Sequence, residues 1–179
     1  MSDKNFKQNL IDKLKNSTPE LQVIHSKQSK DEFVKKNVFA GGVVLRPHTD
    51  GWKLALQTIP TKREQEFWGL PKGMSEDAED NKEELLETAI REVKEEVGIE
   101  SSELEPVHYL GRIERPSRTH NVWKEVHYFV FLTRQKNLEP HRQKHTARWF
   151  ELEPEDLSMV PEQNEVIHST INLLDKNGL

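Results

Sequence analysis

"REVKEEVGI" (residues 91–99) reads as the end of a helix, and it crowds Glu92, Glu95 and Glu96 into the final turns directly after Arg91. On a helix surface Glu92 and Glu96 are i,i+4 neighbours and Glu92 and Glu95 are i,i+3 neighbours, so each contact is repulsive by roughly a few tenths of a kcal/mol. The trio also sits where the helix macrodipole is negative and cations are preferred. The placement costs stability twice, which implies that something positive, missing from the sequence, completes it.

The helix extends back from this stretch over residues 82–97. Leu85, Ala89, Val93 and Val97 recur at i+4 with Leu86 and Ile90 on an adjoining line, and Gly98 follows as a stop with Ile99 as its hydrophobic partner. At about 100° per residue the three glutamates fan out beside the apolar stripe with Arg91 at the edge. They can therefore reach one point over the last turn. Converging carboxylates suit Mg²⁺ or Mn²⁺, hard cations that take oxygen ligands and keep waters for a phosphate. Spacing alone also allows a plain solvated acidic face, since Glu and Lys are strong helix formers.

Charge is distributed unevenly. The chain of 179 residues has a formal net charge of −5, yet residues 75–105 hold thirteen acidic against three basic residues, leaving the remainder at +5. Basic residues gather in "RIERPSRTH" (112–120) and from Arg134 to Arg148, where Glu139 is the lone acid. Such a division suits a bound cation in one place and a polyanion in another, and ordinary solvated faces in each basic patch taken alone. No run approaches the roughly 18 apolar residues of a membrane span. The start "MSDKNFKQNLIDKLKN" has no apolar leader core, and the absence of cysteine excludes disulfides, Cys-zinc sites and thiol nucleophiles. A cytoplasmic location is expected.

Around the helix the pattern alternates between strands and helices. Phe6, Leu10, Ile11 and Leu14 predict an amphipathic helix over residues 3–15, within an N-terminal helical extension over 1–36 that is expected to be an appendage. The main domain is placed at 37–179. "NVFAGGVVLRP" and "WKLALQT" read as a hairpin about "HTDG"; "VHYLGRIE", "NVWKEVHYFVFLTR" and "ARWFEL" read as strands, "EPEDL" as a helical turn, and residues 162–176 as a closing helix. The fold class is α/β, a mixed β-sheet with helices against it.

The glutamate stretch resembles the Nudix box, G-x5-E-x7-R-E-U-x-E-E-x-G-U with U aliphatic. Arg91, Glu92, Val93, Glu95, Glu96, Gly98 and Ile99 match its second half, and Glu83 stands eight positions before Arg91. Gly73 lies ten positions before Glu83 rather than six, so "GMSEDAEDNKE" carries four extra loop residues. The resemblance implies a Nudix-type α/β/α sandwich that binds Mg²⁺ or Mn²⁺ at a pyrophosphate bridge. Glu92, Glu95 and Glu96 would be metal ligands, Arg91 would brace Glu92, and the Lys72 carbonyl beside Gly73 would add an oxygen. Such a site positions and activates a water for attack on phosphorus without a covalent intermediate, with Glu92 or a later carboxylate taking the proton.

Further segments over roughly 38–158, "FWGLPKG", "KEVHYFVFL" and "HTARWFELEPEDL", are similar to the diadenosine tetraphosphate hydrolase branch and its relatives, the RNA 5′-pyrophosphohydrolases and diphosphoinositol polyphosphate phosphohydrolases. By that resemblance Lys72, Lys124 and Tyr128 would face substrate, with Tyr128 stacking on a base or, alternatively, serving as a core residue with a wet hydroxyl. Arg115, Arg118 and His120 would add phosphate contacts or merely solubility. The branch places a glutamate before the histidine matched by His145, where this chain has Lys144, leaving Glu139 or Glu125 as substitute bases. The expected substrate is a nucleotide carrying several phosphates, with RNA possible and no membrane or obligate protein partner. A non-catalytic nucleotide sensor is the rival reading, and retention of all three box carboxylates argues against it.

Overall fold

A computed structural model describes residues 3–19, 21–59, 66–76, 81–118, 121–153 and 157–179. Its elements run α1 (Asp3–Lys15), β1 (Leu21–Ile24), β2 (Lys35–His48), β3 (Gly51–Ile59), β4 (Phe67–Gly69), β5 (Lys72–Met74), α2 (Lys82–Val97), β6 (Glu105–Pro116), β7 (Val122–Leu132), β8 (Ala147–Glu151) and α3 (Pro161–Lys176). The strands form one mixed sheet in the order β1-β6-β7-β2-β3-β4, with β5 added to β2 and β8 to β3. Two pairs are parallel, β1 with β6 and β2 with β7; the others are antiparallel.

Strands β2 and β7 lie at the centre and are covered on both faces, which is why their sequences read as nearly continuous apolar runs. Val38, Ala40, Val44, Phe129 and Phe131 pack on one side against Leu85, Ala89, Val93 and Val97 of α2. Val43, Leu45, Val126, Val130 and Leu132 pack on the other against α1 and α3, through Ile11, Leu14, Val166, Ile167 and Leu173. The result is an α/β/α sandwich. The expected hairpin is present, with Leu45 opposite Leu54 and His48 opposite Gly51.

Residues 1–36 depart from the expected appendage. The stretch "LQVI" (residues 21–24) is β1, registered from Leu21 opposite Gly111 to Ile24 opposite Glu114. Ile11, Leu14 and Leu21 are buried in the core, and His108 Nδ1 donates to the Leu14 carbonyl at 2.8 Å. The expected boundary at 36/37 falls inside β2. A four-residue strand carries too little periodicity to be read alone, and it exists because β6 offers it an edge. The side chains of Phe6 and Leu10, the middle of "EPEDL", part of the Gly73–Glu83 loop and His120 lie outside the described residues. Among the described residues no helix is long and apolar enough to cross a membrane.

Candidate active site

Helix α2 begins with the Asn81 side chain accepting from the Glu83 N–H (3.1 Å) and ends at Gly98, which has φ +75° and donates to the carbonyls of Val93 and Lys94. With its apolar stripe seated on the sheet, the flanking glutamates are drawn inward: Glu92 and Glu96 are only 2% and 4% exposed, while Glu95 is half-buried. Glu83 remains exposed in the first turn. Strand β5 packs over the trio. A Cβ on Gly73 would lie 2.1 Å from the Glu92 carboxyl, so only glycine admits that side chain. The Lys72 N–H donates to Glu96 Oε2 at 3.1 Å. Arg91 Nη1 donates to Glu92 Oε1 at 2.9 Å and its Nη2 to the Met74 carbonyl at 3.3 Å, strapping β5 to the helix. Burial pushes the Glu96 carboxyl up to about 7, against the Lys72 hydrogen bond and with the Glu92 charge assisting.

The positive charge thought to be missing is in the chain. Arg142 donates from Nη1 to Glu96 Oε1 (2.8 Å) and from Nη2 to Glu92 Oε2 (3.0 Å) and Glu95 Oε2 (2.8 Å). Its loop is fastened to the end of α2. The N–H groups of His141 and Arg142 both donate to the Glu95 carbonyl, at 2.9 and 3.0 Å, and Gln135 Nε2 donates to the Gly98 carbonyl at 2.8 Å. The basic run 134–148 was noticeable in the sequence, but a run does not say which member turns inward. Pairing the most acidic segment with that run would have been the available signal.

A basic group adjoins the carboxylates through Lys72. Its ammonium and that of Lys124 lie 5.2 and 5.3 Å from the centre of the Phe39 ring. Burial together with the Lys124 charge lowers the Lys72 pKa, and burial with Arg115 and Arg118 lowers that of Lys124. Arg115 and Arg118 both pair with Glu162 at the start of α3, at 2.9 and 3.1 Å. Sequence reasoning did not single out Glu162. The neighbouring Gln163 accepts from the Leu70 N–H at 2.9 Å, tying α3 to "LPKG".

Tyr128 does not present a stacking surface: it is 2% exposed within the core, and burial raises its pKa. Alternation does put it on the face of Lys124, but the start of α3 covers that part of the face. Neither substitute base joins the trio. Glu125 is buried against His127 Nε2 (2.6 Å) with Lys36 and Arg112 nearby, which holds its carboxyl down to about 2, chiefly through the His127 hydrogen bond. Glu139 is exposed. Lys144 takes φ +65°, and His145 Nδ1 pairs with Gln57 Oε1 at 2.7 Å.

The donor set of three carboxylates suits a divalent cation in chemistry, and a guanidinium already stands among them as a cation. Their spacing is that of a guanidinium: among the described residues no three His, Asp or Glu side chains are gathered closely enough to hold a metal ion.

A mixed sheet between helices, carrying a glutamate-rich helix under a strand glycine, is a Nudix-type α/β/α sandwich. The chain belongs to the Nudix family, whose NUDIX domain model matches residues 35–170, and it is a pyrophosphohydrolase. The NUDIX domain of Shewanella oneidensis NrtR, solved with ADP ribose, is 16% identical with a TM-score of 0.61, covering 97% of this chain and 99% of that one. A C. elegans Ap4A hydrolase binary complex is 22% identical with a TM-score of 0.59, covering 78% and 98%. A MutT/nudix family protein from Enterococcus faecalis is 16% identical with a TM-score of 0.60, covering 98% and 76%. These likenesses show the fold. No curated protein matches.

Proposed function

We propose that the protein hydrolyses a phosphoanhydride in a nucleoside polyphosphate, best a dinucleoside polyphosphate such as diadenosine tetraphosphate, with Mg²⁺ or Mn²⁺ as cofactor. One observation carries the reading. Lys72 joins the two charged groups, its amide on Glu96 and its ammonium beside Lys124 over Phe39. A substrate there meets carboxylates at one phosphate and ammonium or guanidinium groups at the next, which suits a chain of several phosphates.

In this reading Glu92, Glu95 and Glu96 hold the cation, Arg91 keeps Glu92 in place, and Lys72 and Lys124, with Arg115 and Arg118, bind the outer phosphates. The bound ion supplies charge neutralisation at phosphorus and a water acidic enough to attack near neutral pH. The chain supplies the rest: burial of the Glu92 and Glu96 carboxylates, a glycine that lets β5 close over them, and cationic side chains that stabilise the leaving phosphate. The C. elegans Ap4A hydrolase among the similar structures supports the substrate choice.

The burial of Tyr128 favours a second reading, a phosphate-rich substrate without a base to stack, such as a diphosphoinositol polyphosphate; a 5′-triphosphorylated RNA would also be held by its phosphates. Incubation with Mg²⁺ and diadenosine tetraphosphate, 5′-triphosphorylated RNA, ADP-ribose, nucleoside triphosphates or a diphosphoinositol polyphosphate, followed by ion-exchange separation, decides between them. ATP plus AMP from diadenosine tetraphosphate is the expected result. Orthophosphate from the inositol compound with the dinucleotide intact would select the second reading.

A further inference from the structure

The Arg142 guanidinium touches every carboxylate of the trio, at 2.8 Å from Glu95 Oε2 and Glu96 Oε1 and 3.0 Å from Glu92 Oε2. A guanidinium spreads its donors around a plane and holds oxygens at hydrogen-bond distance. A small divalent ion needs the same oxygens drawn in to about 2.0–2.1 Å. The two cannot share the site.

The loop is built so that the side chain can leave without the backbone. Its fastenings are main-chain or remote: the His141 and Arg142 N–H groups on the Glu95 carbonyl, Gln135 on Gly98, and Trp149 Nε1 on the Lys136 carbonyl at 2.8 Å. The Arg142 side chain is itself 40% exposed, on the open side of the trio. With its backbone held on Glu95, a displaced guanidinium stays within side-chain reach of whatever anion rests against the carboxylates. Phosphate oxygens match its planar fork, and each such bond is charge-assisted.

Resting on the reading of the α2 carboxylates as a divalent-cation site, we propose that Arg142 is a resident counterion that the cation displaces and that then binds the substrate's phosphate. Cation and polyphosphate thereby enter as a linked pair. The cation meets a competitor in the free protein, and the phosphate rewards the competitor's departure. Linkage makes the effect reciprocal: whatever the phosphate adds to cation affinity, the cation adds to phosphate affinity.

The test uses the full chain and two variants, R142Q and R142K, with binding rather than turnover as the readout. Free Mn²⁺ is followed by its electron paramagnetic resonance signal during titration. Binding of the Mg²⁺–imidodiphosphate complex is followed by calorimetry at saturating Mg²⁺. R142Q should bind Mn²⁺ about tenfold more tightly than the natural protein, which is the loss of a competitor of ordinary strength. R142K keeps the charge but not the fork, and it too should bind Mn²⁺ more tightly. The diphosphate complex should bind several-fold more weakly to R142Q. Equal Mn²⁺ affinity in all three proteins would overturn the proposal while leaving the cation site standing. Tightening in R142Q but not R142K would reduce Arg142 to background charge and overturn displacement. Unchanged diphosphate binding would overturn the phosphate half. Absence of Mn²⁺ binding from every variant would instead remove the cation site itself, and this proposal with it.

Discussion

Glu96 faces opposed demands, since burial disfavours its charge while the Lys72 N–H and Arg142 hold it. Replacing it by Gln keeps the volume, the helix propensity and an acceptor for Lys72, removes the negative charge and turns the oxygen facing Arg142 into an amide NH2. E96Q is therefore expected to lower kcat with Mg²⁺ by at least about 10²-fold while leaving the thermal midpoint within about 3 °C. Full activity in that variant would remove Glu96 from the ligand set. Tyr128 is the reverse case, a residue with a role expected from resemblance and a position in the core. Y128F keeps the ring where it packs and loses the hydroxyl's bond to Gln163, so it should cost about 1 kcal/mol of stability and leave KM for diadenosine tetraphosphate unchanged. A markedly raised KM would return the ring to the substrate. Both outcomes were only half legible in the sequence. Period 2 fixed the face of Tyr128, but what covers that face comes from α3, more than thirty positions away in the chain. Helical spacing likewise gathered the glutamates without revealing the arginine among them, because the arginine arrives on irregular backbone.

Between elements, the junction of α2 with the loop before β8 is where the site is assembled. Helix α2 was readable to its last residue, since its i,i+4 stripe, its acidic flank and Gly98 all indicate the same boundaries. The loop has no period to read, and its course is set by hydrogen bonds to the Glu95 and Gly98 carbonyls that the sequence does not display. Gly98 does two things at this junction. Its φ of +75° turns the chain out of the helix, and its missing Cβ leaves room for the Glu139 backbone, which a methyl group would meet at 2.1 Å. An alanine there incurs roughly 1–2 kcal/mol for the left-handed conformation and must also push the loop away. G98A is expected to destabilise the protein by more than that backbone cost alone, measured by urea unfolding, and to speed hydrogen exchange at the amides of His141 and Arg142. Protection at those two amides equal to that of the natural protein would show that the loop is fastened independently of the helix end.

For the molecule as a whole, the N-terminal segment decides which strand forms the sheet's edge. Strand β1 covers β6 in parallel register, and α1 brings Leu14 and Ile11 onto the face shared with α3. Removal of residues 1–24 would bare the backbone donors and acceptors of β6, a template for non-native pairing. It would also take Ile11, Leu14 and Leu21 out of the core, each at about 1.5–3 kcal/mol when fully buried, and strip His108 of the Leu14 carbonyl. The loss is comparable with the whole stability of a typical domain, about 5–15 kcal/mol. The carboxylate trio, by contrast, belongs to α2 on the opposite face, with no contact to residues 3–24 among the hydrogen bonds that hold it. The truncated chain should therefore unfold at much lower urea and tend to associate, while whatever fraction stays folded keeps its Mn²⁺ affinity. An unchanged urea midpoint would mean that the segment is a detachable extension after all. Loss of Mn²⁺ affinity from folded, monomeric truncated protein would mean that the two faces of the sheet are coupled through β2 and β7.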